Sequence, residues 1–342
     1  MSSSQVKRCL ESIKTVPSVK WVFFEGGEPT LYFPLLMEAL HAAGEMGLNT
    51  AITTNGYWIT SVRDMIPWLR MFRDVKLKLL QISIDELHEN LRLEPLQEDI
   101  RAAAEQAGLL CEFIGVSVPE PNAEPVEARR GEPITGGNIV FRGRAAYRLV
   151  APQATWLWSS FDECPHENLR DPYRIHIEPY GNIMICDGIS IGSMKDGDLK
   201  TLLEKYVPEE HPIAGPIMEG GPSRLVKEFN LEHEEGYVDA CHLCYEMRSL
   251  LLDKFESELA PKFLYGNRSA KSRGGRGNGN AGGGGNRRGG RSMGNRRGRG
   301  SGRSGNRRRG PAEGSSEDRS KENSANEIID PREKEVDAER PE

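Results

Sequence analysis

Four of the six cysteines in this 342-residue chain, Cys164, Cys186, Cys241 and Cys244, fall in one stretch, the last two as a Cys-x2-Cys pair. Four thiolates suit either a [4Fe–4S] cluster or a structural zinc ion. Spacing barely separates the two, although a zinc ribbon more often carries two Cys-x2-Cys pairs than one pair and two single cysteines. Unrelated buried cysteines are the plainer reading, and the crowding of four into one stretch weighs against it. His166, His176 and His242 lie nearby and could each replace a thiolate, but a histidine beside a complete cysteine set more often orients a ligand than becomes one. An all-cysteine set leaves no open coordination position. A group held this way would carry electrons or brace the fold rather than bind substrate. Cys9 sits in a short helical pattern with Val6, Leu10 and Ile13 and reads as a small buried hydrophobe with no ligand role.

A second constellation lies in the N-terminal half. The apolar run 21–24 ends in Glu25-Gly26-Gly27-Glu28-Pro29, and later runs end in Thr53-Thr54-Asn55-Gly56 and in Ser83-Ile84-Asp85, with His88 close behind. Glycines after a strand let the backbone approach a ligand where a Cβ would collide, and Glu28 is placed to accept hydrogen bonds from a cation such as an ammonium. For an isolated Gly-Gly, a turn capping a strand is the better reading. Here three polar clusters follow successive strands at their C-terminal ends, where parallel sheets and barrels bind ligands.

The elements that must carry these clusters repeat with a βα period. Apolar strand centres fall at Val22, Ile52, Ile82 and Phe113, at intervals of 30, 30 and 31 residues. Helical spacing covers 5–14, 35–45, 62–72 and 99–107, and Gly47 and Gly108 stand where helices should stop. Such alternation demands a parallel sheet, either open and doubly wound or closed into a barrel, and periodicity does not choose between them. Residues 119–137 are rich in Pro, Glu and Gly and read as a loop; 138–141 reads as one more strand leading to Arg142 and Arg144. Those two arginines could meet an acidic group, with surface charge the more economical reading. From residue 173 the pattern becomes a β-hairpin, 174–178 and 183–186 around a turn at 179–182.

Residues 19–56 together with 81–88 resemble the core of the radical S-adenosylmethionine (radical SAM) superfamily, and Gly26-Gly27-Glu28-Pro29 matches its Gly-Gly-Glu-Pro motif. The resemblance implies an α/β fold, a partial (β/α)6 TIM-type barrel missing its first strand. It places Gly26, Gly27 and Glu28, followed by Pro29, at the methionine amino group of S-adenosylmethionine. Ser83 and Asp85 would lie near the ribose, Asn55 in the pocket wall and Val116 beside the adenine. The order Cys164, Gly181-x4-Cys186, Cys241-x2-Cys244 is similar to the shortened auxiliary-cluster module of the SPASM/twitch type, with a slightly long gap before Gly181. It implies one auxiliary [4Fe–4S] cluster. The family's catalytic [4Fe–4S] cluster is held by a Cys-x3-Cys-x2-Cys loop after the first strand, and this sequence has no such triplet. That cluster is expected only if residues precede the helix at 5–14. A misplaced start is the preferred explanation, ahead of lost catalysis or a split gene.

Charge is segregated. The net −6 divides into −14 for residues 1–266, +14 for 267–310, which hold 14 Arg/Lys and no acid, and −6 for 311–342. An acidic body argues against a general nucleic-acid surface there. The expected organisation is a radical SAM-like partial barrel over 1–150, the auxiliary module over 151–266, an Arg/Gly-rich disordered segment over 267–310 and an acidic disordered tail over 311–342. With neither a signal peptide nor a long apolar run, six cysteines point to a reducing, cytoplasmic setting and no membrane partner. The expected function is reductive cleavage of S-adenosylmethionine to a 5′-deoxyadenosyl radical acting on an unknown substrate, a peptide or protein by analogy, with an electron donor as partner. The alternative is a non-catalytic Fe–S or zinc protein that binds RNA or an acidic partner through its Arg/Gly-rich tail.

Overall fold

The computed structural model describes residues 1–118 and 139–266. The expected loop at 119–137 and both tail segments, 267–310 and 311–342, lie outside the described residues. Helix α1 (Ser3–Lys14) starts at a capping box, in which the Ser2 hydroxyl accepts from the Gln5 amide and the Gln5 side chain accepts from the Ser2 amide. There follow β1 (Trp21–Phe24), α2 (Phe33–Glu45), β2 (Asn49–Thr54), α3 (Val62–Asp74), β3 (Leu79–Ser83), α4 (Gln97–Gln106) and β4 (Leu110–Ile114). All four expected strand centres fall inside these strands. Gly47 and Gly108 stop α2 and α4 with φ of +79° and +76°.

The four strands form one parallel sheet in the order β1-β2-β3-β4. Side chains alternate across it. Ile52, Leu80, Ile82 and Cys111 share one buried core with Leu36 and Leu40 of α2, Leu69 and Phe72 of α3 and Ile100 of α4, so all three connecting helices cover the same face. On the other face Thr53 donates to Gln81 at 3.1 Å and Gln81 donates to Glu112 at 3.0 Å, a polar row running across the register. The strand order does not reverse, as it would in a doubly wound sheet.

The rest of the chain is a smaller, mixed assembly. It comprises α5 (Ala145–Arg148), β5 (Trp156–Leu157), β6 (His176–Ile177), β7 (Asn182–Cys186), β8 (Ile189–Ser193), α6 (Leu199–Lys205), α7 (Ala214–Phe229), β9 (Gly236–Tyr237) and α8 (Ala240–Leu250). Strands β6, β7 and β8 form an antiparallel sheet, and β5 pairs with β9. The expected hairpin is present, with Ile177 opposite Ile183, but its first strand is only two residues long. The turn is closed by the Glu178 amide, which donates to the Asn182 carbonyl at 3.2 Å, and by the Glu178 carboxylate, which accepts from the amides of Tyr180 and Asn182, both at 2.9 Å. Strand β8 is not among the expected elements, although Asp187-Gly188 between Cys186 and its partner Ile189 is a two-residue hairpin signal.

The strand expected at 138–141 is not formed by its described part. The Phe141 amide donates to the Asp239 carboxylate at 3.1 Å instead of a neighbouring strand, and the Phe141 ring is buried. Ala146 already belongs to the C-terminal core, so that core begins before residue 150. A second, smaller core is reached from α1 and the residues after it: the Ser12 hydroxyl accepts from the Leu199 amide at 2.6 Å, and Ile13 and Val16 pack against Ile183, Leu199 and Leu202. Among the described residues no helix is long and apolar enough to cross a membrane.

His211 anchors the start of α7. Its Nδ1 accepts from the amides of Ile213 and Ala214 at 3.2 and 3.0 Å, while Nε2 donates to the Ser190 carbonyl at 3.1 Å. Only the neutral ring can do both. Burial lowers its pKa, against the pull of the Ser190 carbonyl and Glu258. A depressed folded-state pKa means stability that is complete above the unfolded value of about 6.5 and is lost as pH falls through the folded value. The melting temperature of the wild type should therefore fall on acidification below about pH 6.5 more steeply than that of His211→Gln, read by thermal denaturation across pH 5 to 8; parallel curves would refute the assignment.

Candidate functional site

Each of the four cysteines reaches the same pocket from a different local device. Cys241 and Cys244 lie in the first turn of α8, three residues apart and so on one helix face. The helix begins there because Asp239 caps it, accepting from the His242 amide at 2.6 Å. Cys186 ends β7, held in place by the antiparallel pairing on either side. Cys164 follows an irregular segment that docks on a break in α7 at Gly220–Gly221. Gly221 has φ +60°, and a Cβ there would stand 2.3 Å from the Glu163 amide nitrogen and 2.6 Å from the Phe161 carbonyl oxygen. The Ser223 amide donates to that same carbonyl at 3.0 Å. Gly221 was not singled out in the sequence; the Gly-Gly-Pro break inside an apolar helix was its only signal.

All four cysteines line one pocket, together with Arg142, His166, Glu167 and Arg248. The pocket is partly open to solvent. None of the cysteines is in a disulfide. Burial pushes the Cys186 thiol up to about 12 and raises Cys241 and Cys244 as well. The thiolate form would thus need a cationic group bound among them, with loss of the thiol protons on binding. Among the described residues no three His, Cys, Asp or Glu side chains are gathered tightly enough to hold a single metal ion.

Arg142, expected more economically as surface charge, lies at this pocket. It pairs with Asp187 at 3.0 Å and points Nη1 at the Cys186 sulfur, 3.9 Å away. Arg144 is exposed. Of the three histidines, His166 lines the pocket; His242 is engaged with Glu246 at 3.4 Å and His176 with Glu25 at 3.5 Å. Cys9 and Cys111 are buried elsewhere, on α1 and β4.

At the C-terminal ends of the parallel strands the second constellation is also assembled. Gly26 and Gly27 have φ of +85° and +51°, a conformation that costs other residues dearly, and nothing lies within 4 Å of where their Cβ atoms would be. Bare backbone faces open space there. Glu28 is 8% exposed. Its Oε1 accepts from the Thr30 amide and hydroxyl at 3.0 and 2.6 Å and from the Thr54 hydroxyl at 2.8 Å, while Oε2 accepts only from the Asn55 amide at 2.8 Å. One oxygen is saturated by the fold and the other retains acceptor capacity. Thr54 in turn accepts from the Trp58 indole at 3.2 Å.

Asp85 is more fully occupied. Its oxygens accept from the His88 amide and Nδ1 and from the Val116 amide, at 2.9, 2.8 and 3.2 Å. Burial by itself would raise this carboxyl, but those bonds and the His88 charge hold it below its ordinary value. A ligand hydroxyl would have to share these oxygens. Ser83 is buried at the end of β3, and Asn55 is bent over its own turn, accepting from the Tyr57 amide at 2.9 Å. A residue not foreseen, Asn90, ties these ends together. Its amide donates to the Asn55 carbonyl at 2.6 Å and to the Ser83 carbonyl, and its oxygen accepts from the Asp85 amide at 3.2 Å. Nothing in its sequence neighbourhood marks it.

No protein-family model matches the chain, and no curated protein is recognisably similar to it in sequence.

Gly221→Ala should cost about 1–3 kcal/mol through forced backbone displacement and should displace Cys164 from the other three. Thermal denaturation measures the first effect. Metal retained after desalting measures the second, and wild-type retention in a destabilised variant would separate Cys164 from this device.

Proposed function

We propose that this chain is a radical SAM-type iron–sulfur protein, its four-stranded sheet an arc of a partial TIM-type barrel and its C-terminal part a holder for one auxiliary cluster. The observation that carries this reading is the meeting of Cys164, Cys186 and the Cys241/Cys244 pair, from three separate places in the sequence, around one pocket. One Cys-x2-Cys pair with two single cysteines suits an iron–sulfur group better than a zinc ribbon, which more often carries two such pairs. The monotonic strand order with helices on one face supports the barrel arc.

At the strand ends Glu28 would hold the ammonium of S-adenosylmethionine through Oε2, its orientation fixed by the bonds that Thr30 and Thr54 make to Oε1. Gly26 and Gly27 leave room for that cofactor to lie against backbone. Ser83, Asp85 and Asn55 border the same end of the sheet and would flank the ribose. Bound S-adenosylmethionine, with a catalytic cluster beside it, supplies a 5′-deoxyadenosyl radical on reduction. The cysteine triplet for that cluster is not among these residues, so the radical step requires ligands from outside this sequence. A peptide or protein is the proposed substrate class, with a separate electron donor.

A second reading keeps the auxiliary cluster and drops the radical chemistry. It is favoured by the internal occupation of the Asp85 and Glu28 carboxylates, and it leaves 267–310 as the contact to RNA or an acidic partner. Anaerobic loading of the full chain with iron and sulfide distinguishes these. The expected result is about four iron and four sulfide per chain, most of it lost in Cys164→Ala; unchanged metal content in that variant would overturn the four-cysteine site. S-Adenosylmethionine should bind the loaded chain by equilibrium dialysis, and Glu28→Gln should weaken it at least about tenfold by removing the acceptor charge. A loaded chain that does not bind it supports the second reading.

A further inference from the structure

Arg248 presents a buried charge with no carboxylate in direct contact. It sits on α8, one turn after Cys244, and is 2% exposed. Its guanidinium donates to the Asp187 carbonyl at 2.7 Å, to the Tyr265 hydroxyl at 3.0 Å and to the Cys244 carbonyl at 3.4 Å, all neutral acceptors. Among the described residues no carboxylate forms a direct ion pair with it; the Asp187 carboxylate, paired to Arg142, feels its charge only at longer range. Arg142, by contrast, has Asp187 at 3.0 Å.

A buried guanidinium with no anionic partner is strongly unfavourable, and natural proteins carry such a group only where something compensates it. Hydrogen bonds to two carbonyls and a phenol satisfy donors but cancel no charge. Besides the Asp187 carboxylate, which Arg142 already engages, the anionic groups this side chain can face are the thiolates of the pocket it lines, Cys186, Cys241 and Cys244 with Cys164. The surroundings hold it there rigidly. Its guanidinium lies over the Tyr265 ring at 5.4 Å, Tyr265 stacks on Tyr245 at 5.5 Å, and the Tyr265 hydroxyl donates to the Gly188 carbonyl at 2.7 Å.

We propose that Arg248 is the fixed counter-ion of the four-cysteine centre and raises its reduction potential. This rests on the iron–sulfur reading above. Reduction by a one-electron donor adds a negative charge to the bound group and breaks no bond to the protein, and a fixed cation nearby favours the more anionic state. The field is stronger for the burial of the pocket. Arg248 acts here as a positioning and tuning residue.

The test uses the full chain, loaded anaerobically with iron and sulfide and titrated against a low-potential reductant with detection by electron paramagnetic resonance. Arg248→Gln should load and be at least about tenfold harder to reduce, a downward shift of about 59 mV for a one-electron couple. Arg248→Lys should recover most of that shift. Asp187→Asn should move the potential upward, because it leaves the Arg142 charge uncompensated beside Cys186. If Arg248→Gln does not fold, Arg248→Met supplies the neutral comparison with a similar unbranched stem. Loading by Arg248→Lys alone, with both neutral variants empty, supports the counter-ion role at the level of assembly. A loaded neutral variant with the wild-type potential overturns the proposal, as does failure of all three Arg248 variants to load, which assigns the residue to packing. A wild type that takes up no iron and sulfide overturns the iron–sulfur reading itself and this inference with it.

Discussion

The C-terminal half of the molecule is organised around one buried guanidinium. Arg248 bonds to the carbonyl that follows Cys186, to the carbonyl of Cys244 and to the hydroxyl of Tyr265. Three segments that share one apolar core, the β7–β8 turn, α8 and the residues after it, are thus further fixed to one cation. Tyr265 extends the arrangement by donating to the Gly188 carbonyl. The same contacts that satisfy the donors set the places of Cys186 and Cys244. One side chain thus contributes to both the geometry of the pocket and the charge within it, beside Arg142, the Asp239 cap and the Gly221 break.

The N-terminal half depends on a comparable knot built from carboxylate and amide. Glu28 joins the end of β1 to the end of β2 through Thr54 and the Asn55 amide. Asn90 joins the ends of β2 and β3 through the carbonyls of Asn55 and Ser83. Asp85 reaches the segment after β4 through the Val116 amide. Strand ends in a parallel sheet leave backbone groups without ladder partners. Here polar side chains take them up, which makes these residues scaffold and candidate ligand-binding groups together. Glu28 Oε2 and the bare Gly26–Gly27 backbone are where that scaffold still has capacity for a ligand.

The two halves are less separate than a barrel with an appendage would suggest. Helix α1 packs beside α2 yet caps α6 through Ser12 and buries Ile13 and Val16 against the β-hairpin core. Glu25, the first residue after β1, faces His176 of β6. The N-terminal helix and the sheet mouth thus tie the cysteine-bearing part to the parallel sheet. Position of one candidate site is coupled to the other by ordinary packing.

The alternating βα rhythm, its four strand centres, its helices and the cysteine set are legible in the amino-acid order because each rests on local periodicity or on residue type. Apolar residues at spacing two or 3.6 must be buried on one face wherever the chain goes, and glycine is the residue that ends α2 and α4 at positive φ. The order of residues could not say that the Phe141 amide would be taken by Asp239 rather than by a strand, or that Gly221 would admit the segment carrying Cys164. Nor could it say that Arg142 and Arg248 would line the thiol pocket or that Asn90 would hold two strand ends. Those are contacts between residues tens of positions apart, decided by which surfaces remain to be paired once the sheet and helices have formed. The sequence by itself determined the local elements and the chemistry on offer; only the tertiary structure decided which groups meet, because desolvation and charge compensation depend on neighbours in space.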